Sequence, residues 1–328
     1  MVAQAKGSSS SLIMEWESSF WVPRDAADRV PIILPFNSTT LKGTRSLGES
    51  QTIRGDRNPT EPFEDRKDVS GNIVVPVDDV VFGYILSAFF GLPTTTGSGP
   101  YTHVFKIDPT AALPSFVIEQ GFLDLATPYY ILHKGCKLNT LEITVGTQGE
   151  LLATLGIMGA DDEHGTSSYD SAVGATAAAS VFGNRFQMRH ASVKEGGSPS
   201  NLLSEFSVSM NNNLDGDSFV IGGGGVRDDL PEGIAQIGGT ITALFKNSAI
   251  LAKAKAGTKT SLQLALTNGT KSVTFDFNEV RLEDTAPEVS GPAGVRIPFN
   301  FRAFYNNNAS ESAVVVTLVN SVASYAME

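Results

Sequence analysis

One apolar pattern occurs twice in this chain, and that repetition restricts its architecture more than any single motif. Residues Ile53 to Ile73 align without a gap with Ile221 to Ile241 at an offset of 168. Gly55 meets Gly223, Val69 meets Ile237, and Ser70-Gly71-Asn72-Ile73 meets Gly238-Gly239-Thr240-Ile241. Further on the offset is 144: Leu138 meets Leu282, Leu151 meets Val295, Ala153 meets Ile297, Leu155 meets Phe299 and Ile157 meets Phe301. The smaller offset means that the second copy is shorter between these blocks. What repeats is apolar spacing, as expected of two similar β units that could form two wedges of a symmetric ring.

The chain of 328 residues has room for about two domains. It is 41% hydrophobic and 18% charged, enough for a large core. Its 32 glycines and 16 prolines suit many strands joined by turns. A single cysteine, Cys136, excludes an intramolecular disulfide. The net charge of −11 argues against tight non-specific DNA binding, which needs a basic surface that releases phosphate counterions. Met1 to Ser11 has no apolar segment of the signal-peptide kind. The longest near-apolar run, Val80 to Leu92, is well short of the ~20 residues that span a bilayer. These features predict a soluble chain with no membrane partner, folded in the cytoplasm.

Along the chain, residues 1–50 read as a polar arm followed by short strand-like pieces. Pro31 and Pro35 suit an edge or an ordered arm. Residues 54–68 are charged, contain Pro59 and Pro62, and read as a long exposed loop. Asp78-Asp79 followed by an apolar run up to Gly91-Leu92-Pro93 predicts a helix. Apolar residues cover nearly its whole circumference, so it needs a second packing surface besides one sheet face. Ser248 to Ala256 is a shorter helix at the equivalent place. Strands are expected near 101–107, 115–120, 138–145 and 150–158, the last two forming a hairpin around Gly146-Thr147-Gln148-Gly149. Residues 159–180 read as a linker, Phe182 to His190 and Leu203 to Met210 as strands, and Ala313 to Val319 as the last strand. The division is therefore 1–158, a linker at 159–180, and 181–328.

No motif for catalysis, metal or cofactor stands out. The four histidines are scattered and Cys136 has no ligand-type spacing around it. Asp161-Asp162-Glu163-His164 reads as a solvated charge run. Asn211 to Gly222 lacks the first Asp and last Glu of a calcium loop. Gly257-Thr258-Lys259-Thr260 lacks the glycines of a phosphate loop, and Gly222 to Gly225 lacks a strand–turn–helix setting. No G-x-S-x-G elbow is present. The expectation is a non-enzymatic protein without a cofactor.

An ordered series of short motifs carries a resemblance. Leu47-Gly48-Glu49-Ser50 leads through Arg54-Gly55-Asp56-Arg57-Asn58-Pro59 to Lys67-Asp68-Val69-Ser70-Gly71-Asn72-Ile73-Val74-Val75-Pro76. The apolar helix follows, then Pro114 to Phe122, Gly135 to Asn139, and Gly149-Glu150-Leu151 closing on Met158-Gly159-Ala160. This order resembles the major tail tube protein of long-tailed (siphovirus) bacteriophages, in an internally duplicated form. The resemblance implies a mainly β chain of two tandem β-sandwich or partial-barrel units, each with a flanking helix. It implies inner sheets that join between neighbours around a lumen, rings of six units, and stacked rings that carry DNA from capsid to host. Two units per chain would make a homotrimeric, pseudo-sixfold ring. Tape measure and tail-end proteins are implied partners, and the virion tail the implied location, after assembly in the bacterial cytoplasm. Expected lumen-facing carboxylates are Glu142, Glu150, Asp276, Glu279 and Glu283. An expected inter-ring loop carries Arg54, Asp56, Arg57, Glu61, Glu64, Asp65 and Arg66. Rival readings are another ring component (a tail terminator or a type VI-like tube) or a monomeric β-sandwich binding module.

Overall fold

The structure is a computed structural model that describes residues 4–109, 111–169, 183–289, 291–307 and 312–326. The first part of the chain forms β1 (Ser10–Trp16), β2 (Ile32–Ile33), β3 (Ser38–Thr39), β4 (Lys42–Gly48) and β5 (Phe63–Pro76). Helix α1 (Val81–Phe90) follows, then β6 (Thr94–Thr96), β7 (Tyr101–Lys106) and β8 (Phe116–Phe122). Next come β9 (Tyr129–Val145), β10 (Leu152–Gly159), β11 (Asp161–Gly165), β12 (Ala191–Glu195), β13 (Ser198–Pro199) and β14 (Leu203–Asn211). After β15 (Gln236–Leu244) and helix α2 (Ala249–Lys255), the chain ends with β16 (Thr260–Asn268), β17 (Lys271–Leu282), β18 (Arg296–Ala303) and β19 (Val315–Asn320). The protein is mainly β, and every pairing between these strands is antiparallel.

The strands form three connected layers. A long sheet runs β3/β4–β5–β10–β9–β14–β15–β18, crossing from the first half of the chain to the second where β9 pairs with β14. A second layer runs β6–β7–β19–β17–β16–β12–β13, and it too joins the halves, at β7 and β19. A third runs β11–β9–β8–β1–β2. β9 and β17 each serve two layers. β9 turns at Gly135, whose φ of 61° favours glycine; its first half pairs with β8 and β11 and its last part with β10 and β14. β17 pairs with β19 from Ser272 to Asp276, with β16 from Lys271 to Phe277 and again at Val280, and with β18 at Val280 to Leu282.

The two halves use the same register. β5 and β10 pair from Pro76↔Leu152 to Val69↔Gly159, and β15 and β18 pair from Leu244↔Arg296 to Ile237↔Ala303. Adding 168 to each β5 residue and 144 to each β10 residue converts the first ladder into the second, pair for pair. The same offset of 144 converts Leu138↔Ile157 into Leu282↔Phe301.

α1 lies in the core, with Val81, Phe82, Ile85, Leu86, Ala88, Phe89 and Phe90 all buried. The Asp78 carboxylate accepts hydrogen bonds from the N–H groups of Val80 (2.8 Å) and Val81 (2.7 Å), satisfying donors at the helix start. Burial nonetheless pushes the Asp78 pKa above the ordinary carboxylate value. Gly91, at φ 90°, ends the helix and donates to Ser87 O at 2.9 Å. The second packing surface comes from the chain itself: Phe82 meets the ring of Phe275 on β17, and Tyr84 meets Tyr325 edge-on at 4.8 Å between ring centres.

Three expectations are corrected. β5 begins at Phe63, so residues 63–68 are strand, held by Gly48↔Phe63 through Thr44↔Asp68; the exposed connection is 49–62. Within the expected linker 159–180, Asp161–Gly165 is strand β11, bound along β9 from Asp161↔Lys134 to Gly165↔Tyr130; residues 170–180 lie outside the described residues. Between 183 and 190 only isolated bridges at Arg185 and Gln187 and a 3-10 turn at Met188–His190 occur, and the strand begins at Ala191.

Candidate assembly interface

The long sheet has one packed and one open face because its strands alternate at period two. Leu141, Ile143 and Val145 on β9, Ala153, Leu155 and Ile157 on β10, Phe206, Val208 and Met210 on β14, and Ile297, Phe299 and Phe301 on β18 are buried in one core. The opposite row is short and polar. Thr144 and Ser207 hydroxyls share a hydrogen bond of 3.1 Å across the β9–β14 junction. Ser209 donates to Glu142 (3.4 Å), Thr240 to Asn300 (2.9 Å), and the Asn300 amide to Glu283 (3.1 Å). A glycine keeps part of this face close to the backbone: a Cβ on Gly156 would lie 2.1 Å from Thr140 Oγ1.

The five expected lumen carboxylates do not come together. Glu142 and Glu283 lie on the polar face of the long sheet, Glu283 within 3.5 Å of Arg302. Glu150 sits at the end of the β9–β10 hairpin, bridged to Gln187 and paired with Arg185 at 2.7 Å. Asp276 is in the second layer, accepting from Gln263 Nε2 at 2.5 Å. Glu279 is at the turn of β17, 3.4 Å from Lys259, and accepts from Asn306 N at 3.0 Å. Of the loop residues, Arg54, Asp56, Arg57 and Glu61 are exposed in the 49–62 connection, where Arg54 and Asp56 pair at 3.0 Å. Glu64, Asp65 and Arg66 belong to β5; Glu64 pairs with Arg45 at 2.9 Å and Arg66 with Asp217 at 3.3 Å.

The connection from β14 to β15 (residues 212–235) lies against the first half of the chain and is pinned there by buried polar groups. Arg227 donates to Gly216 O (2.7 Å), Val69 O (3.2 Å) and Gly159 O (2.8 Å), and pairs with Asp68. Burial acts to raise the Asp68 pKa, but hydrogen bonds from Ser70 and Arg227 outweigh it and hold the carboxyl below its ordinary value. Lys137 donates to Leu230 O (2.9 Å) and Glu232 (3.0 Å), and Asn212 donates to Phe89 O (3.1 Å) and Leu138 O (3.0 Å). Lys137, a lone charge between Cys136 and Leu138, could have been suspected from sequence as a buried anchor; Arg227 stands in a polar turn and gives no such signal.

Asp161 to His164 is not a solvated charge run. Asp162 is buried and pairs with Lys67, which also pairs with Asp161 at 2.6 Å, while His164 Nε2 lies 3.1 Å from Asp162. Burial alone would lower the Lys67 pKa, but its hydrogen bonds to the two aspartates raise it, and they lower that of Asp162. Beside them His133 is buried with neither ring nitrogen hydrogen-bonded among the described residues. Desolvation lowers its pKa to about 4.

Two borders of the long sheet carry no partner strand among the described residues. At one end β3 and β4 pair, among the described residues, with β5 alone. At the other, the segment following β17 leaves the sheet after Glu283, whose N–H donates to Asn300 O at 2.8 Å. Exposed borders of this kind are templates for pairing. Among the described residues no cluster of three or more His, Cys, Asp or Glu gathers as a metal site, and no helix is long and apolar enough to cross a membrane.

No curated protein matches the sequence. A protein-family profile described as phage tail tube protein matches residues 7–303, which takes in β1 through β18 and so both ends of the long sheet. The chain therefore belongs to the phage tail tube protein family and is a structural component of a phage tail.

Proposed function

We propose that three copies of this chain close into a pseudo-sixfold ring, that rings stack into the tail tube, and that DNA passes through the bore from capsid to host. The observation that carries this reading is the repeated register. β5–β10 and β15–β18 are the same ladder at offsets of 168 and 144, so each chain supplies two equivalent sectors of one curved sheet. The domains in this reading are 1–158 and 181–328, which share the β9–β14 and β7–β19 junctions. Four strands per sector give roughly twenty-four per ring. With strands ~4.8 Å apart and tilted by ~35–45°, such a barrel is roughly 45–50 Å across its backbone, well beyond the 16–18 strands that already leave a channel.

The polar row of the long sheet then lines the bore. Short hydroxyl and amide side chains satisfy one another along it, and Glu283 neutralises Arg302. Together with the chain's net charge of −11, this leaves little to hold phosphates. Glu142 and Glu283 are the proposed lumen carboxylates. The exposed 49–62 connection is proposed to meet the next ring. Tape measure and tail-end proteins are the proposed partners at the two ends of the tube.

Two measurements test this. Light scattering on the assembling protein is expected to give a unit of three times the chain mass of 34.8 kDa; a unit of six chains would contradict the trimer. Particles carrying Glu142→Lys are expected to form tubes but eject DNA more slowly, and unchanged ejection would contradict the placement of Glu142 in the bore.

A further inference from the structure

The junction inside the chain specifies how two chains meet. Within one chain the sectors join where β9 pairs with β14: Val145↔Phe206, Thr144↔Ser207, Ile143↔Val208, Glu142↔Ser209, Leu141↔Met210 and Thr140↔Asn211. The offset of 144 that relates the sectors carries Thr140–Val145 onto Asp284–Val289. β3 and β4 occupy on β5 the place that β14 occupies on β15: Thr39 lies opposite Ile73 as Phe206 lies opposite Ile241, and Thr44 opposite Asp68 as Asn211 opposite Gln236.

We infer that Asp284–Val289 of one chain becomes a strand against Thr39–Thr44 of a second copy, antiparallel, with Val289 opposite Thr39, Glu288 opposite Thr40, Ala286 opposite Lys42 and Asp284 opposite Thr44. This rests on the ring reading above and adds to it the residues and register that close the ring.

Three independent features fit the pairing. The first is the segment itself. In the first sector Asn139–Val145 is held from both sides, by β10 and β14. Its counterpart meets β18 at Glu283 and, among the described residues, pairs with no other strand; Pro287 and Pro298 each remove a ladder donor, so pairing stops near Glu283. A second neighbour supplies the missing side. The second feature is burial. Val145 is 4% exposed at the internal junction, whereas its counterpart Val289 is 78% exposed, an apolar side chain on the core-facing row of an open border. Leu41, on the matching row of the opposite border, is already buried. The third is charge. On the polar row Lys42 would lie opposite Ala286, diagonal to both Asp284 and Glu288, and none of the three has an ion-pair partner among the described residues. Opposite charges at such cross-strand positions stabilise pairing and oppose a shifted register.

Paired cysteines test the register directly, because the native Cys136 is fully buried with its thiol pKa pushed up and does not compete. Directly opposed residues have Cβ atoms ~4.5–5.5 Å apart and diagonal ones ~7–8 Å, so disulfide yield reports alignment. On mild oxidation of assembled protein, Thr40→Cys with Glu288→Cys is expected to give inter-chain disulfide in several-fold higher yield than Thr40→Cys with Ala286→Cys. Separately, Lys42→Glu is expected to abolish assembly at concentrations where the unaltered chain assembles, with the circular dichroism of the chain unchanged. Adding Asp284→Lys and Glu288→Lys is expected to restore it. Rings that form without the Thr40–Glu288 disulfide, or that cross-link best at the shifted pair, would overturn the register and leave the ring reading standing. An unaltered chain that stays monomeric at every concentration would overturn both.

Discussion

The long sheet contains one sector junction that is closed and two borders that are open, and they are built from corresponding residues. At the closed junction Phe206, Val208 and Met210 of β14 lie opposite Val145, Ile143 and Leu141 of β9, all buried. At the open borders the corresponding positions are Thr39, Leu41 and Gly43 on one side and Val289, Pro287 and Thr285 on the other. Leu41 and Val289 remain apolar, but the other four positions have given way to small, polar or proline residues. The closed junction is formed once, as the chain folds, and can rely on apolar burial. In the proposed ring an open border has to stay soluble until a partner arrives. Short strands, a lysine and prolines are the devices that protect such borders from pairing out of register. The difference thus separates stability of the chain from assembly of the tube, and substitutions on either side should affect one and spare the other.

The largest effect is expected at the closed junction. Val208→Asp places an unpaired carboxylate in the core and is expected to leave little folded chain, since such burial costs several kcal/mol against a typical total stability of ~5–15 kcal/mol. The corresponding change at the open border, Val289→Asp, should leave the thermal midpoint unchanged while preventing rings. A comparable loss of stability in both variants, measured by calorimetry, would break the distinction.

The next effect depends on pH and belongs to the chain's own fold. His133 titrates at about 4 when folded against an ordinary 6.5, because its buried imidazole resists charging. The unfolded chain therefore binds the extra proton first, and stability falls as pH drops from about 6.5 towards 4. The two values correspond to a loss of about 3 kcal/mol. Denaturant titrations across that window should show the loss, and His133→Leu should remove most of it. A variant with the same acid slope would show that other groups control it. Asp162, whose pKa is lowered, adds a loss at still lower pH, as its carboxylate takes up a proton and releases Lys67.

Gly83→Ala is expected to cost about 1–3 kcal/mol, because a Cβ there would lie 1.9 Å from Cζ of the buried Tyr325 ring. Tyr325 lies near the C-terminal end of the described chain and its carbonyl accepts from Trp16 Nε1 at 3.1 Å, so displacing it loosens contacts with both ends of the fold. The Tm of the variant tests this; an unchanged Tm would mean that the ring moves aside freely. The smallest effect on the fold is expected from shortening the 49–62 connection to a tight turn, since its tip residue Ile53 is almost fully exposed. Chain stability should change by less than ~0.5 kcal/mol, as for surface changes generally. Rings should still form but fail to stack, and normal tubes would assign the connection another role.

Much of this fold could be read from periodicity. The β9–β10 hairpin, the β5–β15 correspondence and α1 all carry apolar spacing that matches their burial. What escaped was polar in sequence and ordered by tertiary contact. Asp161–Gly165 has no apolar alternation, and it is a strand because β9 offers it a ladder and Lys67 neutralises its aspartates. Phe63–Asp68 is charged because it extends past the packed part of β5, where β4 supplies its ladder and ion pairs to Asp217, Arg227 and the β11 aspartates hold its side chains. The lumen candidates show a second limit. Alternation assigns Asp276 to the polar face of its strand, but not β17 to one of two sheets; the strand turns between layers near Glu279. Glu142 lies on the long sheet because β9 pairs with β14 there, a contact between residues more than sixty positions apart.

The rotational symmetry of the assembled ring tests the central claim most directly. Averaged end-on electron micrographs of purified tubes are expected to show three identical chains and six similar lobes around a single bore. Six identical chains per ring, or a chain that never forms a closed ring, would contradict the claim that each chain supplies two sectors of one continuous sheet.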